Sequence, residues 1–117
     1  MQLKIISKKL PLKHTFTIAH QSRDFQDTII AKLEDGKLTG LGECTTNPFY
    51  GMTMDNILDA LEKTRLIVEA NTWETPQELW ESCKTLLVNN SFAQCALDVA
   101  AWDLYAKKKF KKLYELL

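Results

Sequence analysis

Asp98 and Asp103 lie in an apolar run, SFAQCALDVAAWDLYAKKKF, from 91 to 110. Two carboxylates share proton or metal chemistry only when they converge. At about 100° per residue they stand about 140° apart on a helix, so they read instead as capping or ion-pairing residues. Gly40-Leu41-Gly42-Glu43 has the outline of a nucleotide loop. Position 45, where a dinucleotide fingerprint needs its third glycine, is Thr, and no helix opens directly after it. Those glycines read as places where another segment approaches a strand closely. Cys44, Cys83 and Cys95 fit no zinc or redox spacing and read as small core residues. His14 and His20 do not cluster with them and read as surface or packing residues. The basic run KKKFKK at 107–112 reads as a solvated helix end.

Two stretches resist such plain readings. Residues 19–26, AHQSRDFQ, join two strand patterns and carry Arg23. Residues 44–53, CTTNPFYGMT, carry Pro48, Phe49, Tyr50, Gly51 and Met52. Aromatics in a Gly- and Pro-hinged loop are unfavourable unless they cover something. Either they fold onto the chain's own core, or the loop is a lid.

Both stretches need strands to hold them. Leu3 and Ile5 alternate with polar neighbours, and the alternation recurs at Leu10, Leu12, Phe16 and Ile18. TIIAKLE at 28–34 puts Ile29, Ala31 and Leu33 on one face. Asp35-Gly36 predicts a tight hairpin turn, with the return strand over 37–44. From Thr53 the period changes to that of helices. Thr53 is the expected N-cap of a first helix with a stripe of Ile57, Leu58, Leu61, Arg65 and Val68. Thr75-Pro76-Gln77-Glu78 opens a second, which is expected to bury Leu79, Trp80, Cys83 and Leu86 or Leu87. Ser91, with Gln94 three residues on, is the expected cap of a third. A last turn holds Leu113, Tyr114, Leu116 and Leu117. Strands first and helices after make the class α+β: a three-stranded antiparallel meander followed by a helical bundle.

The third helix is apolar almost all round. Ala96, Val99 and Ala100 are expected on the chain's own core, and Leu97, Ala101, Leu104 and Tyr105 on something else, with the two roles interchangeable. Such a helix leads us to expect self-association of the chain. Length and charge narrow the classes further. The 117 residues make one domain; 15 basic and 15 acidic residues cancel, which argues for neither nucleic acid nor an anionic membrane. No apolar run reaches the ~20 residues of a span, and MQLKIISKKL is too polar for a secretory core, so the expected location is cytoplasmic.

Gly-x-Gly-Glu closing a meander, a proline–aromatic–glycine loop and the helix Ala96-Leu97-Asp98-Val99-Ala100-Ala101-Trp102-Asp103-Leu104 together resemble the N-terminal capping domain of the enolase superfamily. The muconate-lactonising subgroup is nearest, and PLKHTFTIAH at 11–20 resembles dipeptide epimerases of the L-Ala-D/L-Glu type. The resemblance covers residues 1–117. It implies one part of a two-domain isomerase whose modified TIM barrel, absent from this chain, supplies the chemistry. There, one lysine removes the proton α to a carboxylate, another returns it, and Mg2+ held by three barrel carboxylates stabilises the enolate. It therefore implies no catalytic and no metal-binding residue in this chain, which alone is expected to be inactive. It makes Ile18, His20, Arg23, Phe25, Phe49, Tyr50 and Met52 the substrate-specificity residues, facing a dipeptide, and a homo-oligomer the expected assembly. The family usually ends the third helix with Gly and resumes with Pro, where this sequence reads Phe110-Lys111-Lys112-Leu113. Two other readings stay open: the cap of an o-succinylbenzoate synthase, N-succinylamino-acid racemase or muconate cycloisomerase, or a stand-alone binding module.

Overall fold

The structure, a computed structural model, describes the backbone of residues 1–18 and 21–110, and their side chains except those of residues 10–25 and 48. The expected last turn at Leu113–Leu117 lies outside the described residues. Three antiparallel strands, β1 (Gln2–Ile18), β2 (Gln21–Asp35) and β3 (Leu38–Thr45), form one sheet in the order β1-β2-β3. Three α-helices follow: α1 (Met54–Glu69), α2 (Pro76–Cys83) and α3 (Ser91–Lys108).

Alternation decides the sheet's two faces. Leu3, Ile29, Ala31 and Leu33 are buried under the helices. On the opposite face Glu34 takes Lys4 at 3.1 Å and Lys32 at 3.2 Å, a wet surface of the sort an antiparallel sheet tolerates. The hairpin turn falls one residue later than the sequence predicts. Asp35 pairs with Leu38, so Gly36 and Lys37 are the two loop residues. Gly36 takes φ 62° while Lys37 stays negative, and glycine at the first loop position alone is the type II′ requirement.

The paired glycines explain how α3 sits. A Cβ on Gly42 would lie 1.9 Å from the carbonyl oxygen of Ala96, and one on Gly40 2.2 Å from that of Ala100. The backbones of β3 and α3 therefore touch, with only hydrogens between them. The inward arc of α3 is wider than predicted: Ala93, Ala96, Leu97, Ala100, Ala101 and Leu104 are all buried, because α1 and α2 flank the helix while the sheet lies beneath it. Leu97, Ala101 and Leu104 thus belong to the chain's own core, and Val99, expected there, is 41% exposed.

Both edges of the sheet are clamped by an acid–base pair one helical turn apart. On β1, the Leu3 N–H donates to Glu69 Oε2 at 2.8 Å, and Arg65 donates to the Leu3 carbonyl. On β3, the Leu41 N–H donates to Asp103 Oδ2 at 2.9 Å, and Lys107 donates to the Thr39 carbonyl at 2.6 Å. Asp103 is thus an edge cap rather than half of a catalytic pair, and unpaired strand groups find partners without another chain.

The helix ends follow local chemistry, with three departures. Thr53 and Thr75 are the N-caps of α1 and α2, accepting from the N–H groups of Asn56 and Glu78. For α3 the cap is Asn90, not Ser91: its Oδ1 accepts from the Ala93 N–H at 3.0 Å. An asparagine caps as well as a serine, and its spare amide also donates to the Asn56 carbonyl at 3.2 Å, which ties α3 to α1. Trp80, expected inside, is 39% exposed; of the pair Leu86 and Leu87, Leu87 takes the inner position that the sequence left open between them. At the end of α3, Phe110 adopts φ 56° where a glycine is the ordinary choice. The helix stops there without one.

Candidate functional site

The two segments singled out in the sequence leave the sheet from one place. β3 ends at Thr45, opposite Thr28. Beyond it, β1 and β2 continue as a two-stranded ribbon, pairing Leu10 with Gln26, Pro11 with Phe25, Phe16 with Arg23 and Ile18 with Gln21. Residues 21–26 are therefore strand rather than loop, a correction to the sequence reading; 19 and 20 lie outside the described residues. From Gln26 to Gln21 the ribbon reaches about 17 Å at the rise of a strand. Arg23 and Phe25 sit on its β2 arm and Ile18 at the end of its β1 arm; His20 lies outside the described residues. The register breaks between Pro11 and Phe16, where 12–15 face the single residue Asp24. Proline has no N–H to donate at that point.

The second segment starts beside the ribbon's root. The Thr46 N–H donates to the Asp27 carbonyl at 3.2 Å, and the Gln26 amide donates to the Thr46 carbonyl at 3.3 Å. Asn47 and Met52 then exchange two backbone hydrogen bonds, 2.8 and 2.9 Å, which closes a loop of four residues. Within it the Asn47 side chain accepts from the Phe49 N–H at 3.1 Å, and its carbonyl accepts from the Tyr50 N–H at 3.1 Å. Asn56, in the first turn of α1, donates to the Gly51 carbonyl at 2.9 Å.

This frame holds two aromatic rings in water. Phe49 is 89% and Tyr50 66% exposed, and the rings meet edge to face at 5.3 Å between centroids. The alternative in which they fold onto the chain's own core is ruled out. Met52 behaves differently, being half-buried against the core, so it anchors the loop rather than tipping it. Burying a phenylalanine contributes about 1.5–3 kcal/mol, and the fold forgoes that at Phe49. Asn47, Asn56 and Gln26, which hold the loop, were not singled out in the sequence. The Asn-Pro dipeptide at 47–48 is the signal that marks the first of them.

Among the described residues, little around the loop can move a proton. Burial pushes the thiol of Cys44, at the loop's foot, up to about 11, so it stays neutral. Among the described residues no group of three or more His, Cys, Asp or Glu is placed to hold a metal ion. The donor set of the described residues does not fit a magnesium site.

A family model for the N-terminal domain of mandelate racemase and muconate lactonizing enzyme matches residues 1–117. The chain belongs to that family. Within it, an L-Ala-D/L-amino acid epimerase of Flavobacterium johnsoniae is 47% identical over 99% of this chain, and the L-Ala-D/L-Glu epimerase of Escherichia coli 28% over 98%. The chain spans about a third of those relatives' length, 34% in each case. Two solved structures share this enolase-superfamily N-terminal fold. One is an Agrobacterium tumefaciens enolase family member with homology to dipeptide epimerases, bound to sodium and L-Ala-L-Glu (TM-score 0.83, 30% identity, 98% of this chain and 33% of that one). The other is the Enterococcus faecalis dipeptide epimerase with magnesium and L-Leu-L-Tyr (TM-score 0.82, 29% identity, 99% and 33%). The α+β class read from the sequence is the observed one. Among the described residues no helix is long and apolar enough to cross a membrane.

Proposed function

We propose that this chain is the capping and substrate-specificity domain of a two-domain enolase-superfamily isomerase that epimerises dipeptides beginning with L-alanine. The observation that carries the reading is the framed loop, which presents Phe49 and Tyr50 to solvent beside the root of the ribbon bearing Arg23 and Phe25. Such surfaces are unfavourable alone and useful as a lid that expels water from a polar substrate. The similarity to epimerases of L-Ala dipeptides supports the substrate class. In this reading the bases and Mg2+ would belong to the barrel, where the metal would supply charge stabilisation. This chain contributes the aromatic cover from Phe49 and Tyr50, with Ile18, His20 and Phe25 as further specificity residues. Met52 fixes the loop's base. Arg23 meets the far carboxylate when the second residue is acidic, by a charge-assisted pair.

The test is α-proton exchange. The two-domain protein, incubated in D2O with L-Ala-L-Glu, L-Ala-L-Phe and an N-succinylamino acid, is followed by mass spectrometry. Deuterium entering the dipeptides but not the succinyl compound is the expected result. The reverse pattern contradicts the reading. Arg23→Ala is expected to raise KM for L-Ala-L-Glu roughly ten- to a hundred-fold, the loss of one charged hydrogen bond, and to leave L-Ala-L-Phe near its starting value. Equal changes for both would remove Arg23 from the role.

A further inference from the structure

An open groove of about 370 Å3 between α2 and α3 has a make-up that neither the core nor the aromatic loop uses. Pro76, Gln77, Trp80, Glu81, Asp98 and Trp102 line it. Two indoles and two carboxylates thus share one groove, with no cation among them. Glu81 has a partner, Lys84 at 2.7 Å, on the open surface. Asp98 is different. It is half-buried, and among the described residues no hydrogen bond or ion pair reaches its carboxylate. Burial pushes its carboxyl above the ordinary 3.8, as expected for a charge taken from water without compensation. Trp80 stays 39% exposed while its neighbours Leu79 and Cys83 are sealed. A lone desolvated carboxylate beside two indoles is complementary to a cation, which gains from the ring faces as well as the charge. A guanidinium suits this setting better than an ammonium, because it stacks on an indole while its fork meets the carboxylate.

We propose that this groove receives a cationic side chain, an arginine before a lysine, from the part of the two-domain protein that lies outside this chain, and thereby fixes how the cap docks. The inference rests on the two-domain reading above. The length of the relatives supports it, since two-thirds of their sequence has no counterpart here. So does the outer stripe of α3, where Val99, 41% exposed, lies one turn before Trp102. Asp98 acts here as a positioning residue and touches no substrate.

Hydroxyl-radical footprinting, read by mass spectrometry at each tryptophan, tests this directly. Trp80 and Trp102 are expected to oxidise several-fold more slowly in the two-domain protein than in the 117-residue chain. Asp98→Asn, which keeps the side chain's shape and removes its charge, is expected to return both rates toward those of the lone chain. Trp73, buried and donating to the Val68 carbonyl at 3.2 Å, is expected to stay slow throughout. Equal rates in the two proteins would overturn the proposal, and so would protection that Asp98→Asn leaves intact. Protection that appears in the lone chain on raising its concentration would assign the groove to a second copy and equally overturn it. The footprint is independent of turnover. A groove protected through Asp98, in a protein that exchanges no dipeptide α-proton, would sustain this inference while refuting the substrate reading.

Discussion

The helix-covered half of the sheet and the end from which the ribbon and loop emerge follow opposite rules. In the first, glycines let α3 rest its backbone on β3, and each edge strand is clamped by a charged pair from a helix. Apolar side chains there face inward, and Leu3, Ile29, Leu33, Ile57 and Leu61 are at most 1% exposed. At the other end an equally ordered hydrogen-bond frame holds Phe49 and Tyr50 away from any core. Order without burial is the difference. A loop that merely connected two elements would need neither the frame nor the aromatics, which is what the proposed capping role asks of this end.

Substitutions at the two ends are expected to separate stability from selectivity. The largest loss belongs to Gly42→Ala, whose new Cβ meets backbone at 1.9 Å, where no flexible side chain can yield. We expect a destabilisation of at least about 3 kcal/mol, read as a collapse of the thermal transition. An unchanged melting temperature would mean that α3 does not lie on β3 as described. Next come the edge clamps. Asp103→Ala and Glu69→Ala each leave a strand N–H without its acceptor and are expected to cost about 1 kcal/mol, since both sites are partly wet. That lowers Tm by roughly 4 °C in calorimetry. The third effect is smaller and opposite in sign. The folded-state carboxyl of Asp98 is raised, so folding binds its proton more readily and the penalty applies at neutral pH. Asp98→Asn is expected to raise the Tm of the lone chain at pH 7. The gain should shrink as pH falls through the raised value and vanish below the ordinary 3.8, where the carboxyl is protonated in both states. A pH-independent difference would show that charge is not the cause. Smallest of all, Phe49→Ala is expected to leave stability within about 0.5 kcal/mol.

The same contrast explains how much could be read from the residues. Period-2 and period-3.6 patterns are dictated by burial, so the meander, the three helices and the Thr53 and Thr75 caps were legible. Gly40 and Gly42 announced a close approach, but not that α3 was the visitor, since pairing of distant segments leaves no local trace. For the same reason the inward arc of α3 was misjudged. A helix held between a sheet and two other helices has a wider buried face than one packed on a single surface, and Val99, Leu97 and Leu104 changed sides accordingly. Ser91 and Asn90 are both good caps, and what separates them is the second bond from Asn90 to Asn56, which only the folded chain supplies. The aromatic loop was legible as a composition. Its exposure was not, because a sequence does not say whether a ring's neighbours leave it a place in the core.

The central claim is that Phe49 and Tyr50 face a bound dipeptide. Its most direct test is kcat/KM of the proposed two-domain protein and its Phe49→Ala and Tyr50→Ala variants, measured over L-Ala dipeptides that differ in their second residue. We predict losses of roughly tenfold or more for some dipeptides and little for others, the mark of side-chain contact to the varied residue, with melting temperatures unmoved. Uniform kcat/KM across the series in both variants, or a loss that follows a fall in Tm, would contradict it.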